Sequence, residues 1–155
     1  MSSLETKLRL LGLLICVLVP VAFLIVVWAV LVPREEMIMT DNEDTVLFVW
    51  ILSAMAFAEP VIGFVLRKRL LNVDAIVSRG GKPGLSQSIF AGHMVGYAFA
   101  ISPAVFGLVV YLVTHNATLA TVMICCSPLA YLFFRPTEGT VQELAHEVEA
   151  KLASK

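Results

Sequence analysis

The side chains that could do chemistry are few, and they lie inside long apolar stretches. Glu59 is the single charge within residues 46–66 and lies about 10 Å from the Leu66 end of that stretch at helical rise. Insertion scales put the cost of a charged Asp at the centre of a bilayer at about 2.5–3.5 kcal/mol. We expect Glu59 either to bind a proton or cation, or to act as a protonated carboxyl that hydrogen-bonds a neighbouring helix.

Three polar residues of stretch 89–113 complete the set of ion- or proton-binding candidates. His93 lies near the start of this stretch, and Tyr97 lies one helical turn deeper, at about the depth of Glu59. We expect Glu59, Tyr97 and His93 to form a polar cluster. Ser102 precedes Pro103, and we expect its hydroxyl to bond a backbone carbonyl.

No known catalytic or cofactor motif accompanies these residues. The sequence has no Ser-His-Asp set, metal-ligand cluster or dinucleotide fingerprint, and its three cysteines form no CxxC motif. We therefore expect no enzymatic activity, no cofactor and no metal site.

The amino-acid composition indicates whether these residues lie in a soluble protein or in a membrane protein. Hydrophobic residues make up 59% of the 155 and charged residues 15%, and the net charge is −1. Soluble domains carry about 25% charged residues. With a mean hydropathy of +0.88, the chain is predicted to be an integral membrane protein whose partner is the lipid bilayer. The same values exclude a soluble enzyme, a disordered tail and a nucleic-acid binder.

Four stretches are long enough to span a bilayer, which takes about 20 apolar residues. They predict an all-α, polytopic four-transmembrane-helix bundle that forms one domain over residues 1–155, with spans 1 to 4 at 10–32, 46–66, 89–113 and 117–134. An alternative treats span 1 as a secretory signal cleaved after Val27-Trp28-Ala29, which would leave three spans.

The charges between the spans predict the orientation. The loop between spans 1 and 2 is acidic, with Arg34, Glu35, Glu36, Asp41, Glu43 and Asp44. Basic residues precede span 1 and follow span 2, namely Lys7, Arg9, Arg67, Lys68, Arg69, Arg79 and Lys82. By the positive-inside rule, both termini are cytoplasmic. The short tails and the lack of sorting signals favour a bacterial inner membrane.

The C-terminal segment predicts a short amphipathic cytosolic helix over residues 140–153. Thr140 and Glu143 have the spacing of a capping box. An apolar stripe follows at helical spacing, made of Val141, Leu144, Ala145, Val148 and Leu152. Because the other faces are acidic, we expect the helix to pack on the cytosolic loop or on a partner protein rather than on anionic lipid.

Small residues and prolines indicate how the spans meet. Span 3 carries a small-residue stripe that predicts a helix–helix contact surface, formed by Gly92, Gly96, Ala100, Ala104 and Gly107. Ala56 and Gly63 share the helix face of Glu59 and predict a second close contact. These helix–helix contacts could be internal or between subunits.

Each span has one proline near its middle, which predicts matched helix kinks at Pro20, Pro60, Pro103 and Pro128.

One segment of span 3 resembles a known family. The run Ala100-Ile101-Ser102-Pro103-Ala104-Val105-Phe106-Gly107-Leu108-Val109 is similar to the outer helix of the ATP synthase c subunit and related proteolipids. The chain also resembles small four-helix, c-subunit-like bacterial membrane proteins of unassigned function, whose last span ends like Phe134-Arg135-Pro136-Thr137-Glu138. The resemblance implies a carboxylate at the ion-binding position, which here holds Ile101.

Three functions follow from these observations. The first is a non-catalytic membrane subunit that assembles through helix packing, as a homo-oligomer or as an accessory subunit of a larger membrane complex. The second is a proteolipid-like protein coupled to protons or cations through Glu59. The third is a small transporter or sensor with a cavity at the proline bends.

Overall fold

Four long apolar helices dominate the computed structural model, which describes residues 2–32, 43–78 and 82–154. The helices long and apolar enough to cross a membrane are Thr6–Leu31, Val46–Leu70, Gly84–Thr114 and Ala117–Phe134, and these bounds replace the predicted ones for spans 1 to 4. The described residues contain no strand. The prediction of an all-helical chain with four helices long and apolar enough to span a membrane is thereby confirmed for the described residues.

The helices run further than the hydropathy of the sequence indicates. The helix that contains span 1 comprises α1 (Ser2–Leu13), a π-helical segment (Leu14–Leu18), α2 (Val19–Ile25) and a second π-helical segment (Val26–Leu31). The remaining helices are α3 (Glu43–Leu70), α4 (Val73–Ser78), α5 (Lys82–Thr114), α6 (Ala117–Phe134) and α7 (Glu138–Ala153). Helices α3 and α5 continue past the apolar stretches because backbone hydrogen bonds do not stop where charged side chains begin.

The start of α7 differs from the sequence prediction. Helix α7 begins at Glu138, not at residue 140, and Thr137 rather than Thr140 occupies its N-cap position. The predicted capping box at Thr140 and Glu143 therefore lies inside the helix rather than at its start.

Among the residues used to predict orientation, Arg34, Glu35, Glu36, Asp41 and Arg79 lie outside the described residues.

Span 3 is the central helix of the bundle. It packs along span 2 on one side and span 4 on the other, and span 1 lies against both span 3 and span 4. Three buried clusters fill the contacts: Cys16, Tyr97, Ala100, Ala130, Tyr131 and Phe134; Val27, Ala104, Tyr111, Ala120 and Ile124; and Leu52, Ala56, Val110 and Met123.

The small residues predicted as a contact surface make contacts within this chain. A Cβ on Gly96 would lie 2.7 Å from Phe134, and one on Gly107 would lie 2.8 Å from the carbonyl oxygen of Ala120, both on span 4 or its end. Gly92 faces Leu71, and Gly63 on span 2 faces Phe99 on span 3. Ala100 and Ala104 are fully buried. The stripe is therefore used for internal packing.

Serine hydroxyls donate to the carbonyls that lie four residues before two of the span prolines. Pro20 cannot donate to the carbonyl of Cys16 four residues earlier, and Ser127 of span 4 donates to that oxygen at 3.5 Å. Pro103 likewise leaves the carbonyl of Phe99, which accepts from Ser102 at 2.8 Å. The expectation for Ser102 is confirmed. Helices α3, α5 and α6 continue through Pro60, Pro103 and Pro128, so the predicted kinks stay a prediction.

The short helices pack together at the end of the bundle that holds both described chain ends, which we call the termini end. Leu8, Ile76, Ile89 and Val148 are almost fully buried there, with Leu144 and Ala145 packed against them. The apolar stripe of α7 thus lies on α4 and on the start of spans 1 and 3. Lys151 of α7 and Asp74 of α4 form an ion pair at the rim, with 2.5 Å between Nζ and Oδ1.

Candidate functional site

The densest polar arrangement within the spans centres on Arg67, in the last turn of span 2. One terminal nitrogen of its guanidinium lies 3.1 Å from Nε2 of His93, and the other donates to the carbonyl oxygen of Phe133 at 3.1 Å. The guanidinium carbon lies 5.9 Å from the ring centre of Phe134, within the range of a cation–π contact. Arg67 therefore connects spans 2, 3 and 4.

The contacts of His93 define its protonation and tautomer. Its side chain is 2% exposed, and Nδ1 lies 2.8 Å from the carbonyl oxygen of Ile89. A carbonyl can only accept, so Nδ1 carries the hydrogen; a guanidinium can only donate, so Nε2 accepts. His93 is then the neutral Nδ1–H tautomer, and it acts as an acceptor for a positive charge rather than as a second positive charge.

The third nitrogen of the Arg67 side chain is less well accommodated than the two terminal nitrogens. Its Nε is buried and, among the described residues, has no hydrogen-bond partner. An unpaired buried donor costs about 1–3 kcal/mol. Arg67 as a whole is nevertheless half-buried rather than enclosed.

Tyr97 lies beside His93 and joins span 3 to span 1. The two ring centres are 6.2 Å apart, and the Tyr97 hydroxyl donates to the carbonyl oxygen of Leu8 at 2.9 Å. Tyr131 of span 4 packs on Tyr97 with ring centres 5.8 Å apart and donates to the carbonyl oxygen of Arg9 at 3.2 Å. Two tyrosines therefore hold successive residues of the span 1 backbone.

Gly12 is the point where these tyrosine rings cross span 1. A Cβ at this position would lie 2.5 Å from Cε2 of Tyr131 and 2.7 Å from Cζ of Tyr97. Only glycine lets the span 1 backbone approach both rings so closely. One turn further along, the Cys16 thiol lies 3.6 Å from the carbonyl oxygen of Tyr97 and completes the contact.

Glu59 lies apart from this arrangement, eight residues or about 12 Å of helix before Arg67. Its face is set by its neighbours: Ala56 is buried between spans 2, 3 and 4, and Gly63 faces Phe99. The Glu59 side chain is half-buried. Within residues 2–32, 43–78 and 82–154, it makes no hydrogen bond or ion pair.

The predicted cluster of Glu59, Tyr97 and His93 is therefore found only in part. His93 and Tyr97 come together, but Arg67 takes the place expected for Glu59. The sequence predictions placed Arg67 among the basic residues that follow span 2 and gave no role to Gly12 or Tyr131. One signal was present: Glu59, Gly63 and Arg67 recur every four residues and share one face of span 2. Ser102 bonds within its own helix, away from the Arg67 contacts.

The arrangement contains acceptors, one guanidinium and phenols, but no nucleophile paired with a base. Among the described residues, no three His, Cys, Asp or Glu side chains come together as a metal site requires. Comparison with known protein families gives no matching family, and comparison with curated proteins and with solved structures gives no match either. The resemblance to c-subunit-like proteins stays a prediction.

Proposed function

We propose that the chain is a non-catalytic membrane subunit that assembles with other membrane chains through span 2, as a homo-oligomer or as an accessory subunit of a larger complex. The observation that carries this proposal is Glu59. It lies in the middle of span 2, half-buried, and forms no hydrogen bond or ion pair with any described residue.

A carboxyl group in this position needs a partner from elsewhere. Polar groups within spans normally face the bundle or a water-filled cavity and pair with one another or with backbone carbonyls. The arrangement around Arg67 follows that rule, since its charge meets His93 and the carbonyl of Phe133. Glu59 has no such partner among the described residues, so a hydrogen-bond donor on a second membrane helix would pair with its carboxyl group.

The surface beside Glu59 is suited to such a helix. Span 2 is the least covered of the four spans. In its most apolar 18-residue segment 17% of the residues are buried, against 44% in the corresponding segment of span 3. Exposed aromatic and aliphatic residues alternate with small ones: Phe57 and Val61 are more than half exposed, and Ala58 between them is exposed. Small residues flanked by large ones let another helix approach closely.

The test is the native mass of the particle extracted gently from its own membrane. Ala58→Trp places a bulky ring beside Glu59 on the exposed surface of span 2, and we expect it to reduce the particle to the mass of the single chain in its detergent micelle. Ala22→Trp is the matched control, because Ala22 is an exposed alanine in the middle of span 1. It should leave the mass unchanged.

The masses also separate the two forms of the proposal. An integral multiple of the 16.9 kDa chain indicates a homo-oligomer, and additional unrelated chains indicate an accessory subunit. A wild-type particle that is already a single chain would contradict both forms, as would an Ala58→Trp particle of wild-type mass.

The same observation favours a second candidate, a proton- or cation-coupled protein. A carboxyl without a partner in the chain can take up a proton or a cation, which is the chemistry implied by the resemblance to proteolipids. In liposomes, Glu59→Gln should then abolish proton flux driven by a pH gradient, while Glu147→Gln on the exposed surface of α7 should not. Equal flux in all three proteins would exclude this candidate.

A further inference from the structure

A groove between spans 1 and 4 opens on the apolar outer surface near the termini end. Its volume is about 430 Å³, and its lining includes Arg9, Leu13, Val17, Leu129, Leu132 and Arg135. Its walls are apolar and outward-facing: the exposed fractions are 48% for Leu13, 60% for Leu129 and 57% for Leu132. In a membrane, this groove faces the acyl chains.

The mouth of the groove carries two arginines at the level where the spans end. Arg9 lies in the first turn of Thr6–Leu31, and Arg135 directly follows Ala117–Phe134. The Arg9 side chain is anchored, because its Nε donates to the carbonyl oxygen of Pro136 at 3.1 Å. Its backbone is anchored as well, through the carbonyl that accepts from Tyr131. The positive end of the groove is thus built into the fold.

We infer that this groove binds one anionic phospholipid, with the phosphate between the guanidinium groups of Arg9 and Arg135 and an acyl chain along Leu13, Val17 and Leu129. Arginine is suited to phosphate because its planar fork forms paired, charge-assisted hydrogen bonds. Basic pockets between spans at one membrane face are typical sites for anionic headgroups.

The shape of the groove favours a lipid over a free phosphate ion or an acidic peptide. From Arg9 to Val17 the apolar wall runs eight residues, or about 12 Å, toward the middle of the membrane. A free phosphate would use the two arginines and leave this wall to other molecules. An acidic peptide would have to enter the hydrocarbon region with its backbone hydrogen bonds unmade. A diacyl lipid uses both the charges and the wall.

The experiment measures lipid binding to the full chain by native mass spectrometry in detergent. The probes are phosphatidylglycerol and phosphatidylcholine with identical acyl chains, and inorganic phosphate. We expect wild type to bind one phosphatidylglycerol in preference to phosphatidylcholine, and inorganic phosphate not to displace it. Equal retention of the two lipids by wild type would overturn the inference, as would displacement by inorganic phosphate at millimolar concentration.

Variants of the arginines test the headgroup end. In Arg9→Gln/Arg135→Gln the affinity for phosphatidylglycerol should fall about 30-fold, since each basic side chain near an anionic headgroup contributes roughly fivefold. Arg135→Gln alone should lower it about fivefold. It keeps the Arg9 anchor and so tests the inference even when the double variant fails to fold. The matched control is Lys68→Gln/Arg69→Gln, two exposed basic residues in the last turn of span 2 that do not line the groove.

A third variant tests the acyl-chain wall. In Leu129→Trp a larger side chain occupies the groove, and both arginines stay in place. We expect this variant to lower phosphatidylglycerol binding as strongly as Arg135→Gln does. Val122→Trp, an exposed position of the same span outside the groove, should bind like wild type. Equal losses in the groove and control variants would show that net positive charge or a general surface effect, rather than this groove, retains the lipid.

Discussion

Arg67 of span 2 and His93 of span 3 meet with 3.1 Å between a guanidinium nitrogen and Nε2. Because Nδ1 of His93 is held by the carbonyl of Ile89, the ring offers its acceptor nitrogen to Arg67 and places no second charge beside it. The positive charge is thereby accommodated where three spans meet. Glu59, on the same face of span 2, has no such accommodation within the described chain.

Removing the His93 acceptor should destabilise the bundle. His93→Leu leaves an Arg67 donor unpaired beside a buried apolar side chain, and we expect a loss of about 2 kcal/mol in the free energy of unfolding. Denaturant titration in detergent micelles measures it. His93→Gln, whose amide oxygen can accept from Arg67, should recover part of the loss. A cost no larger than that of His146→Leu, on the exposed surface of α7, would contradict the account.

Ser127 and Pro20 should be energetically coupled. Ser127 donates to the carbonyl of Cys16, which lies four residues before Pro20, and Pro20 has no N–H to offer that oxygen. In Pro20→Ala the new N–H can take that role, so Ser127→Ala should cost less than it does in wild type. We expect a coupling of about 0.6 kcal/mol, the mean for hydrogen bonds between spans. A double-mutant cycle measures it. The same cycle with Ser53→Ala, in span 2, should give no coupling.

Gly12 should tolerate no side chain. Both tyrosine rings that a Cβ would meet are tied to the span 1 backbone by their hydroxyls, so neither can move away without losing a hydrogen bond. We expect Gly12→Ala to lower the free energy of unfolding by about 1–3 kcal/mol, as overpacking typically does. Gly139→Ala is the control, since a Cβ there meets no atom within 4 Å. Equal stability of the two variants would show that the rings are free to shift.

Apolar burial rather than the ion pair should hold α7 at the termini end. Val148 is fully buried, and Val148→Ala removes about two methylene equivalents, worth roughly 2 kcal/mol. Lys151 and Asp74 are 42% and 75% exposed, so Lys151→Met should cost under about 1 kcal/mol. Thermal unfolding of both variants ranks the two contributions. A larger effect of Lys151→Met would reverse this ranking.

The sequence predicts what depends on local pattern and misses what depends on pairing between helices. Hydropathy alone locates the four spans, and for span 4 the predicted and observed bounds coincide at 117–134. The small residues Gly92, Gly96 and Gly107 do mark close contacts. The sequence pattern does not show which residues these glycines contact, because that depends on how two spans are positioned along each other. A shift of one span by one helical turn would change every contact and leave the sequence pattern the same.

Arg67 shows this limit most directly. Hydropathy ends span 2 before its first basic residue, so Arg67 is predicted to lie beyond the span, among the basic residues that follow it. The helix instead continues to Leu70, and the side chain turns to the acceptors on spans 3 and 4. The expected partner Glu59 lies about 12 Å away along the same helix. The depth of a residue in the membrane is predicted by counting residues from the end of its span. Such a depth is only as accurate as the predicted end, and the observed end of span 2 is Leu70 rather than Leu66.

The central claim is that span 2 contacts another membrane chain at Glu59. The most direct measurement places a photo-crosslinking amino acid at Ala58 or at Ala22 and irradiates intact native membranes. The account predicts a discrete higher-mass adduct from position 58 and none from position 22, with the adduct at 58 reduced in Glu59→Gln. A chain that crosslinks from neither position, or equally from both, would contradict it.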